Sequence, residues 1–208
     1  SSTLELNKLL KNKEEITMCV DPDLEPFEII NKNGVHEGIS ADLINLISKK
    51  LDIKIRLIPT KTWEETLNFS KEKKCDILSF LNETPKRKEW LNFTNPIFED
   101  PNVIVGRNEF DNIEDLSKLQ NKTIAIPKGT AMYERFEKDF PNLIIIPVET
   151  ENEAFSLVEN KKADMTVRSL IIAAYTIKKE NLFNLKILAK PLEYKNQLRI
   201  GVIKEEPI

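Results

Sequence analysis

Residues 84–87 are the part of this 208-residue chain best suited to hold an anion. Thr84 is a good helix N-cap, and Pro85 fits the first helical position because that position needs no amide hydrogen. The unpaired N–H groups of the helix start and the Arg87 guanidinium would then converge on one anion, and guanidinium geometry suits a carboxylate. The sequence therefore predicts a carboxylate site. From this stretch alone, Arg87 could equally be one solvated charge in the basic run 86–88.

The pattern before this stretch predicts alternating strands and helices that would position the site. Each strand-like apolar segment is followed by a segment with helical features, and the strands fall at 16–20, at 53–58 and at the start of 75–91. Ser40 can cap the first helix, and 62–65 is a capping box that opens the second. This order is typical of a parallel sheet covered by helices on both faces. The polar turn 21–26, directly after a buried strand, would border a cleft.

The second half of the chain predicts a similar unit. After a proline-containing crossover at 92–107, the pattern gives a strand at 123–126, the turn 127–130 leading into a helix, and a strand at 143–148. The octapeptide KKCDILSF at 73–80 is echoed by KKADMTVR at 161–168. A last strand at 198–203 returns toward the first half. Two crossings make a hinge, and hinged α/β lobes close around ligands.

Composition narrows the class of partner. The chain has 31 basic and 34 acidic residues, so its net charge of −3 favours neither nucleic acid nor an anionic membrane. His36 is the one histidine and has no Cys or second His at ligand spacing, so we expect no metal and no cofactor. No apolar run is long enough to span a bilayer and no signal peptide is evident, although a purified domain could have lost either. A small molecule is the partner that fits.

The two cysteines are predicted to be free thiols. Cys19 and Cys75 are placed on neighbouring parallel strands, where Cys19 would lie level with about Ser79. A four-residue offset at ~3.3 Å per residue exceeds the span that a disulfide tolerates. We therefore expect two buried side chains that behave as small apolar residues.

The sequence resembles the type 3 family of periplasmic solute-binding domains, the Venus-flytrap modules best known for amino-acid capture. The likeness covers nearly the whole chain and is carried by the segments ITMCVDPDLEPF, HEGISADLINLISKKLDIKIRLIPTKTWEETL, CDIL, TPKRKEWLNFTNPIF, LQNKTIAIPKGTA and AAYTIKKENLFNLKIL. Within the family it resembles in particular the extracytoplasmic flytrap domains of bacterial sensor histidine kinases and diguanylate cyclases. The resemblance implies an α/β fold of the type II periplasmic-binding-protein class, with two lobes and a two-segment hinge.

We place the boundaries of these lobes as follows. A lead-in helix covers 1–15, lobe 1 covers 16–104 together with 194–208, and lobe 2 covers 105–193. Each lobe is expected to contain a mostly parallel sheet flanked by helices.

The resemblance also implies binding residues. A TPER-like motif supplies the family's arginine for the ligand carboxylate, and this corresponds to Arg87, with Thr84 at the helix start. A KGT or KGS turn in the second lobe contributes hydroxyl and backbone donors, which corresponds to Gly129 and Thr130. Thr130 is equally well explained as a helix cap, and the two roles are compatible.

The chain departs from the family at the end of a second-lobe strand, where amino-acid binders usually carry an aspartate for the ligand ammonium. Here the residues are Arg168 and Ser169. A guanidinium would repel and desolvate an ammonium, so we expect a carboxylate ligand without a free amine, anchored by both Arg87 and Arg168. The equally weighted alternative is that Arg168 turns toward solvent, or pairs with an acidic residue such as Glu25 as a latch between lobes.

Four further residues are candidates to line the site. Asp23 and Leu24 lie in the turn after the first strand, and Leu24 stands where relatives often have an aromatic side chain. Trp63 and Phe80 could supply that stacking wall instead, although core packing is the simpler role for both.

The sequence thus predicts a non-catalytic sensor domain of a bacterial transmembrane receptor, located in the periplasm at the inner membrane and binding an amino acid or organic acid. It would be tethered through flanking segments, could form a homodimer, and would signal by population shift, or without any ligand. A free solute-binding subunit of an ABC importer is the main alternative. A dehydratase-like enzyme would need a general acid or base from Asp23, Glu25 or Glu83, and their spacing marks none as catalytic. A cell-wall-binding domain fused to a hydrolase is the third alternative.

Overall fold

The computed structural model describes residue 10 and residues 13–205 of the chain. The chain forms two compact units: unit 1 is Ser1–Glu99 with Gln197–Ile208, and unit 2 is Asp100–Asn196. The chain therefore passes from one unit to the other twice, a few residues from the predicted lobe boundaries. The predicted lead-in helix at 1–15 lies largely outside the described residues.

The strands, in chain order, are β1 (Glu15–Cys19), β2 (Asp23–Leu24), β3 (Glu28–Ile30), β4 (His36–Glu37), β5 (Lys54–Leu57), β6 (Ile77–Leu81), β7 (Leu91–Phe93), β8 (Phe98–Arg107), β9 (Thr123–Pro127), β10 (Ile144–Val148), β11 (Met165–Ser169), β12 (Leu185–Ile187) and β13 (Lys195–Ile203). The α-helices are α1 (Ile39–Leu51), α2 (Trp63–Lys71), α3 (Ala131–Asp139), α4 (Glu151–Glu159) and α5 (Leu170–Lys179). Short 3-10 helices occur at Arg87–Glu89 and Leu116–Lys118. Within the described residues, none of these helices is both long and apolar enough to cross a membrane.

Unit 1 is built on the parallel strands β5, β1 and β6, in that spatial order. β13 extends the sheet antiparallel to β6, and β7 pairs with β13. β2, β3 and β4 form a small separate antiparallel sheet. Apolar side chains from β1, β6 and α1 share one core, which includes Ile16, Ile77 and Ile44. The prediction of parallel strands alternating with helices is confirmed for this part of the chain.

Unit 2 repeats the plan with β10, β9 and β11 as parallel neighbours. β8 runs antiparallel to β11, and β12 antiparallel to β8. Its largest fully buried side chains include Phe136 of α3 and Phe155 of α4, which cover the sheet through two apolar clusters. The α/β plan of parallel strands covered by helices, expected from the sequence, is confirmed for this unit as well.

The octapeptide echo marks the same hydrogen-bonding pattern in both units. Asp76 lies just before β6, and its Oδ2 accepts from the Thr17 N–H at 2.9 Å and from Thr17 Oγ1 at 3.1 Å. Asp164 lies just before β11 and accepts from the Thr123 N–H at 2.8 Å and from Thr123 Oγ1 at 3.1 Å. Each aspartate thereby fastens the start of its own strand to the neighbouring parallel strand.

The prediction of two free thiols is wrong. Cys19 and Cys75 form a disulfide, with their Cα atoms 5.9 Å apart. Cys19 lies level with Leu78, close to the predicted register. The error concerns Cys75, which is not part of an extended strand: it lies in a bend before β6, two residues after Lys73, whose φ is +60°. Because the chain turns there, Cys75 approaches the end of β1.

Candidate functional site

The candidate residues of unit 1 follow the carboxyl ends of its three parallel strands. These strands run in the same direction, so the segments that follow them meet at one edge of the sheet. Residues 60–63 follow β5, residues 21–24 follow β1, and residues 82–87 follow β6. Ligand sites of open α/β sheets characteristically form at such edges.

Arg87 is buried at this edge, with only 3% of the residue exposed, so the alternative that it is a solvated charge is wrong. Its Nη1 donates to the Asn82 carbonyl oxygen at 2.8 Å, and its guanidinium carbon lies 5.4 Å from the centre of the Trp63 ring. Thr84 Oγ1 accepts from the Arg87 N–H at 3.1 Å. These contacts fix both the backbone and the guanidinium of Arg87.

The prediction of a helix that opens at Thr84 and Pro85 is wrong about the length of that helix. The segment forms a single 3-10 turn, Arg87–Glu89, and then enters β7 at Leu91. Pairing of β7 with β13 and a hydrogen bond from Trp90 Nε1 to Ser70 Oγ at 2.9 Å hold the chain where the helix would have continued. Of the two anion donors that the sequence predicts here, the structure therefore has the guanidinium of Arg87 but not a row of α-helix N–H groups.

The sequence did not predict two residues that support this edge. Asn82 supplies the carbonyl for Arg87, and its side-chain oxygen accepts from the Gln197 N–H at 2.8 Å. Glu28 is 1% exposed. Its carboxylate accepts hydrogen bonds from Ser79 Oγ at 2.6 Å and from the Asp21 N–H at 3.0 Å. The same carboxylate contacts His36 Nε2 at 2.9 Å. Glu28 thus fastens the turn after β1 to β6, over sequence distances that no local pattern reveals.

The other predicted residues of unit 1 divide between surface and core. Asp23 is exposed and Leu24 is buried, both in the turn that Glu28 supports. Phe80 is 2% exposed, and its ring centre lies 6.1 Å from that of Phe27 and 6.4 Å from that of Phe98. Phe80 therefore packs in the core, which is the simpler of the two roles considered for it. Trp63 is the aromatic side chain that stands beside the Arg87 guanidinium.

The candidate residues of unit 2 also lie at the carboxyl ends of parallel strands. Gly129 and Thr130 follow β9, and Ser169 ends β11. Gly129 has φ +74°, in the region that favours glycine. Thr130 Oγ1 donates to the Pro127 carbonyl at 2.8 Å and accepts from the Tyr133 N–H at 3.2 Å. Thr130 therefore caps α3, which is one of the two roles expected for it from the sequence. Ser169 Oγ caps α5 by accepting from the Ile172 N–H at 3.3 Å.

Arg168 forms an ion pair within its own unit. Its Nε lies 2.9 Å from Oε2 of Glu151, and the two side chains are 14% and 13% exposed. The side chain therefore does not turn out into solvent. The acidic partner in the structure is Glu151, which follows β10, and not the Glu25 named from the sequence. Glu151 was missed because it is 17 positions from Arg168 with no pattern that joins them.

Known proteins share both the sequence pattern and the fold. Residues 16–181 match the model of the bacterial extracellular solute-binding proteins, family 3. The chain is 25% identical over 152 residues to the virulence sensor protein BvgS of Bordetella pertussis, a match that covers 73% of this chain and only 12% of that protein. It is 23% identical over 152 residues to the ABC transporter arginine-binding protein 1 of Escherichia coli, covering 73% of this chain and 61% of that one. The crystal structure of the periplasmic VFT2 domain of B. pertussis BvgS has a TM-score of 0.82 at 21% identity, covering 96% of this chain and 85% of that one.

Proposed function

Because the chain belongs to the bacterial extracellular solute-binding proteins, family 3, we propose that it is the periplasmic ligand-binding domain of a transmembrane signalling receptor and binds a small carboxylate-bearing solute. Arg87 is proposed to bind the carboxylate, with Thr84, Trp63, Asp23 and Leu24 around it. Gly129, Thr130 and the Arg168–Ser169 strand end are proposed to contribute from the second unit.

The observation that carries this proposal is the fixed, buried guanidinium of Arg87. Ordering a free arginine side chain on binding costs about 1 kcal/mol, and Arg87 is already held by Asn82 and packed against Trp63. A planar guanidinium offers donors in a fork that matches a carboxylate bidentately. A site of this kind binds a carboxylate without first having to reorganise.

The receptor role is supported by the likeness to BvgS, which is a sensor protein by name. The disulfide is consistent with a location outside the cytoplasm, because disulfides persist in oxidising compartments. We propose that flanking segments tether the domain to the membrane, that it acts within a homodimer, and that it is not catalytic. Mass spectrometry of a bound solute after long incubation should then recover it unchanged.

The carboxylate assignment is tested by thermal-shift screening of amino acids, organic acids and small peptides, followed by calorimetry on the compounds that stabilise the protein. Arg87→Lys keeps the charge but removes the fork. We expect a loss of about 1.5–3 kcal/mol in binding free energy, the usual value of a hydrogen bond to a charged group, or roughly 10- to 150-fold in affinity. Arg56→Lys is the control, since Arg56 is in the same unit but pairs with Glu15 at the exposed surface. Unchanged affinity in Arg87→Lys would refute the assignment.

A free solute-binding subunit of an ABC importer is the second candidate, favoured by the likeness to the E. coli arginine-binding protein. L-Arginine therefore belongs in the screen. Fractionation of the native cells separates the two candidates. A receptor domain stays with the membrane after a high-salt wash, whereas a free periplasmic subunit is released with the periplasmic extract.

A further inference from the structure

The ion pair between Glu151 and Arg168 joins two rigid elements at the carboxyl edge of unit 2. Glu151 is the first residue of α4, directly after the N-cap Thr150, and Arg168 is the fourth residue of β11. Thr150 Oγ1 accepts from the Glu153 N–H at 3.1 Å, which fixes the start of the helix that carries Glu151. Neither charged group is therefore presented on a flexible loop.

Glu151 presents its carboxylate from the first turn of α4. A carboxylate in the first turn of a helix is stabilised by the partial positive charge of that helix end. The pair is also shielded from water, since its side chains are only 13% and 14% exposed. A shielded carboxylate 2.9 Å from a guanidinium takes an anion-binding position of that guanidinium.

We infer that Glu151 determines the charge class of the ligand by occupying the anion-binding position on Arg168. This inference rests on the proposed function, in which Arg87 binds one carboxylate. Unit 2 then presents a neutral ion pair and not a second cation, so the site selects a monocarboxylate. A second ligand carboxylate would have to displace Glu151 from Arg168 and so break a shielded ion pair, which is unfavourable.

The two arginines then have different roles and are not the two paired anchors expected from the sequence. Arg87 is held by a carbonyl and an aromatic ring, whereas Arg168 is neutralised by a carboxylate of its own unit. Glu151 is accordingly a specificity residue that acts through Arg168.

The test uses Glu151→Gln, with Glu159→Gln as the matched control, because both remove one negative charge from α4 but at opposite ends. Inorganic sulfate at constant ionic strength is the probe, and the melting temperature is the readout. We expect sulfate to bind Glu151→Gln on the order of tenfold more tightly than it binds the wild type or the control, since a shielded guanidinium becomes available. Adding Arg168→Gln to Glu151→Gln should abolish the gain.

Equal sulfate dependence in all these proteins would overturn the inference, as would a gain that persists without Arg168. If Glu151→Gln does not fold, Glu151→Asp takes its place, because it keeps the charge but shortens the side chain. An intermediate sulfate affinity is then expected. A sulfate affinity equal to that of the wild type would count against the inference.

A matched pair of ligands then tests specificity. Pentanoate and glutarate differ in one terminal carboxylate, and Glu151→Gln should shift the preference between them toward glutarate by about tenfold. An unchanged ratio would count against the inference. The comparison of Glu151→Gln with the Glu151→Gln/Arg168→Gln variant isolates Arg168, so failure of the sulfate test leaves the Arg87 assignment standing. Unchanged carboxylate binding in Arg87→Lys would instead refute the proposed function whatever the sulfate result.

Discussion

Reduction of the Cys19–Cys75 disulfide should destabilise unit 1 strongly. The two cysteines are 56 positions apart, and closing a loop of that length in the unfolded chain is worth roughly 4 kcal/mol in the loop-entropy model. Single domains are usually stable by only about 5–15 kcal/mol, so this is a large fraction of the total. Cys19 and Cys75 are both buried, and reduction removes the cross-link while leaving both side chains in the protein, which separates the effect of the cross-link from that of cysteine packing.

The assay is urea denaturation followed by tryptophan fluorescence, with and without reductant. Both tryptophans, Trp63 and Trp90, lie in unit 1 and pack against the apolar cluster that contains the two cysteines. The fluorescence transition therefore reports on the unit that contains the cross-link. The double variant Cys19→Ala/Cys75→Ala is the control, since its unfolding midpoint should not respond to reductant.

A second comparison gives the packing contribution. The double alanine variant should be less stable than the reduced wild type by about 1 kcal/mol per deleted buried group, because each substitution removes a sulfur from a filled core. A loss of less than about 1 kcal/mol on reduction of the wild type would refute the loop-entropy reasoning for this protein.

Two further predictions concern unit 1. Burial raises the pKa of Asp76, but hydrogen bonds from Thr17 and the charge of Lys13 outweigh it and hold that pKa below its ordinary 3.8. The stability that Asp76 contributes is thus present above pH 3.8 and lost as pH falls through the lowered pKa. The difference in unfolding free energy between the wild type and Asp76→Asn should therefore be constant near neutral pH and shrink below about pH 4 in acid denaturation. A difference that stays constant in acid would refute this prediction. Gly38→Ala should cost more than about 2 kcal/mol, because φ is +112° and the new Cβ would lie 2.4 Å from the Phe27 carbonyl oxygen. Gly34→Ala, with φ +77° and nothing within 4 Å, should cost only about 1 kcal/mol, and equal losses in urea denaturation would contradict the steric argument.

Local signals in the sequence were sufficient for the parallel α/β plan and for several helix starts. Thr62 and Thr130 each cap the helix that the sequence assigned to them, because capping depends on residues only three positions apart. Ser40 does not cap the first helix, which begins at Ile39 after the N-cap Gly38. The disulfide was missed because a bend before β6 brings Cys75 back toward β1, and that bend has no glycine to mark it. The helix after Pro85 was overestimated because proline suits the start of an α-helix and of a 3-10 turn alike.

The candidate site was predictable only in part, for a physical reason. A family motif made Arg87 a candidate, but the contacts that determine what a charged residue does are long-range. Glu28 meets Ser79 over 51 positions. Periodicity and capping rules report neighbours within one turn or one strand, so a buried ion pair such as Glu151–Arg168 leaves no trace in them.

The octapeptide echo separates the residues that build the fold from those that are candidates for function. At the start of each strand the echo keeps an aspartate, and Asp76 and Asp164 make the same hydrogen bonds to a threonine on the neighbouring strand. At its end the echo diverges: Phe80 packs in the core of unit 1, whereas Arg168 at the equivalent place carries a charge. A charged side chain that is shielded at a strand end needs a partner of opposite charge, and Glu151 supplies it. In the proposed site, the same partner restricts which ligand charges that strand end accepts.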